Sequence, residues 1–318
     1  MIHIPLPRTP LRELNAYLLC GRAGEKDILV DLGFNLDVCE DALRSAVEAV
    51  GADAGFDILL THFHPDHAGL LPRVATDETK VYCGKIPQDM IRQWEQMRDP
   101  LIGQKFLREN GFDLDPAQFK HVPREFRVDR QKLLSSCRFQ ELREGDVLTV
   151  GDYQWRCLET DGHCEGHICL YEPNAKVLIA GDHILGHISP NITCYNMGSA
   201  SSLNKYLRSL EKVAALDVRL VLPAHREPLT DCLTRIKELQ AHHAKRLEEI
   251  KTILAAGWQN GMEITGKMHW SMHPTNADEQ IRLYVFALGE TLAHINYLLE
   301  FGLAEMSESD GRRLYRLK

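Results

Sequence analysis

The chain reads as an α/β layered domain followed by a helical region, and three observations carry that reading. Over the first 230 or so of its 318 residues, short apolar runs alternate with amphipathic helical patterns, the texture of strands and helices packed in layers. From about residue 229 the texture turns mainly helical. Hydrophobic residues make up 44% and charged residues 26%, the proportions of an ordinary globular protein and not of a disordered or fibrous one.

Taken in order, "AYLLCG" and "KDILVDLG" have the length and apolar content of strands. In "NLDVCEDALRSAVEAVG", Val38, Ala42, Leu43, Ala46, Val47 and Val50 fall on one helical face and Gly51 supplies a left-handed stop. The strand "FDILL" leads into the loop "THFHPDHAG" at 61–69, and "KVYCG" is the next strand. Residues 85–135, rich in charge, Gln, Met and aromatics, form a helical insertion that either covers a site or decorates the surface. Strands return at "DVLTV" and "YQWRCLET", joined by a Gly151–Asp152 turn, and at "HICLYE" and "KVLIAGD", joined around Asn174. The helix "SLNKYLRSLEKVAAL" then leads to the buried strand "VRLVLPAH".

Beyond it, "LTDCLTRIKELQAHHAKRLEEIKTILAAG" is a long amphipathic helix whose His242 and His243 sit among charges as a solvated or packing pair. The tail gives two helices, a stop at Gly302 and two short strands around "ESDGRR", an order similar to a winged helix. The division expected is 1–230 as the layered domain and 231–318 as a C-terminal helical, winged-helix-like domain.

A net charge of -8 with a pI near 6.0 disfavours nucleic acid as a partner, since such binding rests on phosphate neutralisation. Acidic and basic residues balance over the last part of the chain, where "GRRLYRLK" is the one basic cluster. The tail is therefore read as a packing or dimerising appendage, which leaves a homodimer open. There is no export signal and no run near the ~18 apolar residues of a membrane span, so the expected location is cytoplasmic. Nine cysteines without a CxxC pair read as free thiols, with Cys164 singled out because it adjoins a histidine of the site.

The chemistry is concentrated in "THFHPDHAG". His62 and His64, two apart in extended chain, point to the same side and can reach one ion. Pro65 biases His64 toward extended geometry and turns the chain, so Asp66 and His67 can face a second ion. Further donors follow apolar strands: His163 in "ETDGHCEGH", Asp182 in "VLIAGDH" and His225 in "LVLPAH". Any one of them alone would pass for a cap or a core histidine. Together they form a nitrogen and oxygen set, with Asp182 able to bridge, suited to zinc and also to iron or manganese. His167, His183 and His187 fall nearby without matching ligand positions.

The ordered set "HFHPDH", "GH", "GD" and "PAH" resembles the metallo-β-lactamase superfamily, whose motif is HxHxDH followed by His, Asp and His, over roughly residues 10–230. The resemblance implies a four-layered αββα sandwich with two divalent metal ions, zinc foremost. His62, His64 and His163 match the ligands of the first metal, Asp66, His67 and His225 those of the second, and Asp182 the bridge. Asp31 in "ILVDLG" matches an aspartate that supports a ligand without being one. The implied activity is hydrolysis by a metal-bound hydroxide formed from water, with Asp66 orienting it or shuttling the proton.

Only 42 residues separate Asp182 from His225, too few for the inserted domain of the nuclease branch. "GHCEGHICLYEP" is similar to glyoxalase II thioesterases, with Asp161 where a proline is usual, and the tail resembles the lactamase-β-like branch. An apolar loop after Asp182, with Asn191 and Tyr195, is expected to line a pocket together with Trp94 and Met97 of the insertion. The substrate expected is a small ester, thioester or lactone. The alternatives are a single-strand RNA endonuclease and a metal-sensing DNA-binding regulator.

Overall fold

The structure, a computed structural model, describes residues 1–7, 9–51, 55–85, 100–113, 137–194, 197–271, 274 and 276–318. Two sheets face each other. The first contains β1 (Ile2–Leu6), β2 (Arg12–Leu19), β3 (Asp27–Val30), β4 (Phe56–Leu60), β5 (Lys80–Cys83) and β6 (Arg138–Glu141), in that spatial order. Its first three strands run antiparallel, and β3 to β6 run parallel. The second contains β7 (Val147–Val150), β8 (Tyr153–Glu159), β9 (Ile168–Glu172), β10 (Val177–Gly181) and β11 (Leu220–Pro223), ordered β11-β10-β9-β8-β7. Only β10 and β11 of this sheet pair in parallel.

Side-chain alternation assigns each face. Ile28, Val30 and Leu59 from one sheet meet Ile168, Leu170 and Ile179 from the other in a buried inter-sheet layer. Leu29, Ile58 and Leu60, one residue out of phase, point the opposite way onto α1 (Asp37–Val50) and the short turns α2 (Pro65–Ala68) and α3 (Leu71–Val74). Cys169, Leu178 and Ala180 likewise face α5 (Ser202–Ala214), the crossover between β10 and β11, which follows α4 (Pro100–Glu109) in the chain. The result is helix, sheet, sheet, helix, as the resemblance implied. Each fully buried aliphatic side chain contributes roughly 1.5–3 kcal/mol relative to exposure.

After the second sheet come α6 (Cys232–Leu254), β12 (Gln259–Asn260), α7 (Gly261–Lys267), α8 (Ala277–Glu300), β13 (Ala304–Ser309) and β14 (Arg312–Leu317). The last strands form a three-stranded sheet ordered β12-β14-β13. Ile236 and Leu239 of α6, Leu288 and Leu292 of α8 and Tyr315 belong to the same buried cluster as β9 and β10.

Several details differ from the sequence reading. On α1, Val38 and Val50 are exposed while Cys39 is buried, because the inward face runs through Cys39 and Leu43. The tail holds one 24-residue helix, α8, where two were expected. Strands β1 and β6 are not among the strands read from the sequence; β1 alternates over only five residues and β6 is four mostly polar residues. Apart from α4, nearly all of the expected insertion at 85–135, including Trp94 and Met97, lies outside the described residues, as does Tyr195.

Candidate metal centre

The loops at one rim of the sandwich bring seven donors together. His62 and His64 leave the end of β4, and Asp66 and His67 sit on α2, which Pro65 starts. His64 is extended at φ -65 and ψ 152, as a residue before proline prefers. His163 comes from the loop between β8 and β9, Asp182 directly follows β10, and His225 follows β11. Donor atoms of His62, His64, His163 and Asp182 lie within 4.8 Å of one another, as do those of Asp66, His67 and His225.

Asp182 stands between the groups. Its Oδ2 is 3.5 Å from His163 Nε2, while its Oδ1 is 3.4 Å from His225 Nε2 and 3.6 Å from His67 Nε2. Asp66 Oδ2 is 3.3 Å from His225 Nε2 and 3.7 Å from His67 Nε2. His64 Nδ1 lies 2.9 Å from the Nε2 atoms of both His62 and His163. All seven are buried except His64, which is half-buried.

The backs of these rings are committed. Carbonyl oxygens only accept, so Nδ1–H of His163 donates to Asn191 O and Nδ1–H of His225 to Glu13 O, each at 2.8 Å. His67 Nδ1 is 2.8 Å from Asp31 Oδ2. Each proton so placed leaves Nε2 facing inward. There His67 Nε2, His225 Nε2 and Asp182 Oδ1 are buried without hydrogen-bond partners. Orphaned buried polar atoms are costly, and spacings near 3.3–3.7 Å suit donors around a cation with bonds of ~2.0–2.2 Å. The residues therefore fit divalent metal ions.

The electrostatics agree. Burial, reinforced by neighbouring imidazoles, pushes His62 well below the ordinary range and His64 down to about 3, and burial also lowers His163. Neutral imidazole is the form that coordinates. Burial would raise the carboxyls of Asp66 and Asp182, but His67 and His225 reverse this, holding Asp66 at about 2 and Asp182 well below the carboxylate range. Conversely, burial opposes charge on His67 and His225, yet Asp31 raises the former and Asp182 the latter. These excess carboxylates are what a cation would neutralise.

Asp31 was expected as a support; its geometry and the other supports were not legible in sequence. Asp31 adopts φ 60, unusual for a residue with a side chain. It is fixed by Thr61, whose N–H donates to Oδ1 at 2.9 Å and whose hydroxyl donates to Oδ2 at 2.8 Å. His167 Nε2 accepts the N–H of Asp182 at 3.1 Å, while its Nδ1 faces Thr160 Oγ1 at 2.8 Å. Asp161, in the position of the usual proline, closes the His163 loop by accepting Gly166 N–H at 2.8 Å. The glycines of "GH" and "GD" have steric reasons: a Cβ on Gly162 would lie 2.4 Å from Tyr206 Cα, and one on Gly181 2.7 Å from His167 Nε2.

Other residues singled out in the sequence fall elsewhere. His183 packs on Tyr206, with ring centroids 5.3 Å apart, and His187 is exposed. Cys164 keeps its proton, because burial and then Asp161 push the thiol well up. Asn191 is half-buried, its carbonyl orienting His163 and its amide donating to Thr193 Oγ1. Ile184, Leu185 and Ile192 of the loop after Asp182 are buried in the core behind the site.

Known proteins are similar to this chain in sequence and fold. The "Probable metallo-hydrolase YqjP" of Bacillus subtilis is 27% identical, with 99% of this chain and 96% of that protein aligned. A crystal structure of a metallo-beta-lactamase family protein from Thermus thermophilus superposes with a TM-score of 0.77 at 27% identity, covering 100% of this chain and 97% of that one. A beta-lactamase domain protein from Burkholderia ambifaria gives 0.78 at 26% identity, covering 99% and 91%. The family model described as "Metallo-beta-lactamase superfamily" matches residues 10–225, from before β2 to His225 itself. With the sandwich, the rim of histidines and the shared carboxylate all in place, the chain belongs to the metallo-beta-lactamase superfamily, as a metallo-hydrolase.

Proposed function

We propose that this protein is a dinuclear metal-dependent hydrolase of a small ester, thioester or lactone. The carrying observation is Asp182, whose two carboxylate oxygens face two separate donor groups. In this reading His62, His64 and His163 hold one ion, Asp66, His67 and His225 the other, and Asp182 both. Zinc suits a set of imidazoles and carboxylates without thiolate, and iron or manganese would also be accepted. When bound, such ions supply a nucleophile from water at neutral pH and stabilise negative charge developing on the substrate.

The chain's own groups supply the rest. Asp66 stays ionised and so accepts a hydrogen bond from the attacking water, orienting it. Asp31, Asn191 and Glu13 fix three rings in the tautomer that presents Nε2. A small uncharged acyl group is favoured over a polyanion by the net charge of -8 and by the short connection from Asp182 to His225.

The test is elemental analysis of the purified protein, followed by hydrolysis assays on esters, thioesters, lactones and single-stranded RNA. Turnover of an acyl substrate should vanish on chelation and return with Zn2+. RNA cleavage that disappears in Asp182→Ala would replace the acyl reading with a nuclease. No turnover of any of them by the fully loaded protein would overturn hydrolysis.

A further inference from the structure

Helix interiors avoid glycine, yet Gly289 lies midway along the 24-residue α8. Its own backbone does not demand glycine, since its φ is not positive. Its neighbour does: a Cβ there would stand 2.5 Å from Thr193 Cγ2 and 3.3 Å from Thr193 Oγ1. The close approach is fastened by Cys194 N–H, which donates to Gly289 O at 3.1 Å. Thr193 Oγ1 in turn accepts the Asn191 amide at 2.8 Å, and Asn191 O accepts His163 Nδ1–H at 2.8 Å. The same loop is gripped upstream by Arg235 of α6, whose guanidinium donates to Leu185 O at 2.7 Å and Ile188 O at 2.9 Å.

We propose that the C-terminal helices set the metal centre, with Gly289 and Thr193 as positioning residues that hold Asn191 and hence the ring of His163. This rests on His163 being a metal ligand, as proposed above. The coupling follows from the shape of threonine. If the methyl group rotates away from an added Cβ, Oγ1 leaves the Asn191 amide; if it stays, the loop must retreat from α8. Either way Asn191 moves, and His163 loses the acceptor that fixes its tautomer. The helical region is then part of the hydrolase's working structure.

The experiment compares wild type, Gly289→Ala, Thr193→Ser and the double variant, with Gly266→Ala as a control in α7, where an added Cβ meets nothing within 4 Å. Zn2+ affinity is measured by competition with a chromophoric chelator, and the melting temperature of each metal-stripped protein is measured alongside. Gly289→Ala should weaken Zn2+ binding about tenfold, the scale typical of partners behind a ligand. Thr193→Ser, which deletes the clashing methyl and keeps the hydroxyl, should restore near-wild-type affinity in the double variant. Gly266→Ala should bind as wild type.

Unchanged affinity in Gly289→Ala overturns the proposal. So does a loss that Thr193→Ser fails to rescue, or a lowered apo melting temperature with affinity intact, which would mark mere packing. If Gly289→Ala does not fold, Thr193→Val keeps the shape, removes the acceptor of the Asn191 amide and should still weaken binding; wild-type affinity there overturns the proposal. A wild-type protein that binds no Zn2+ instead sinks the metal-centre reading on which this rests.

Discussion

Two regions of the molecule bury clusters of histidine, and they differ in what their inner nitrogens face. Between α6 and α8, His243 and His294 pass hydrogen bonds along a line. His294 Nδ1–H donates to Glu290 O at 2.8 Å, leaving its Nε2 to accept His243 Nδ1–H at 3.1 Å. The Glu290 carboxylate accepts Arg246 Nε–H at 3.3 Å, so the charge nearby is paired within the protein. His243 Nε2 is itself without a hydrogen-bond partner, but at the rim two such nitrogens, of His67 and His225, converge on the carboxylates of Asp66 and Asp182. Histidine count does not make a metal centre. Convergence does, together with carboxylates set among the converging rings.

The largest effect that separates the two regions is loss of the shared carboxylate. Asp182→Ala should empty both metal positions by elemental analysis and reduce turnover to background, whereas His243→Leu should leave the metal content at the wild-type value. An Asp182→Ala protein that kept two ions would erase the distinction. Next comes Asp31→Asn, which weakens the acceptor behind His67 and the anchor on Thr61. Chelator competition should register a loss of about 10–100-fold in metal affinity, and wild-type affinity would make Asp31 a packing residue only.

The smallest effect concerns acid stability. Burial, aided by His294, brings His243 down to about 3 from the ordinary 6.5. Its folded pKa is depressed, so the unfolded chain takes up the proton first. The stability contributed is complete above about pH 6.5 and shrinks as pH falls toward about 3. Denaturant titrations of metal-stripped His243→Leu should therefore depend on pH less steeply than wild type by up to ~1.4 kcal/mol per pH unit across that window. At neutral pH the variant should be less stable by about 1–3 kcal/mol, because His294 Nε2 loses its donor. Parallel profiles would mean that His243 is not the buried neutral group described.

What was legible in the sequence was local or spaced by a period. Short apolar runs marked β3, β4 and β9 to β11, where one face is buried against the opposite sheet and the other against helices. His62 and His64 could be paired because residues two apart on extended chain share a side, and Pro65 marked where that geometry stops. The ordered recurrence of His163, Asp182 and His225 at strand ends pointed to one rim. The pair at His242 and His243 read as solvated or packing, and the structure buries His243 against His294, a partner 51 residues away, while His242 is partly exposed.

Tertiary structure alone decided the rest, because it depends on which surfaces meet. No periodicity shows that Asp31 must turn left-handed to reach His67, or that His167 faces the amide of Asp182. No sequence pattern tells that Asn191 offers its carbonyl to His163. Gly289 is the sharpest case: in sequence it is a weak point in a helix, and only the 2.5 Å approach of Thr193 gives it a reason. The sequence determined the kinds and order of the donors. The packing of loops against helices decided which nitrogen each histidine presents, since a tautomer is set by the atom behind the ring.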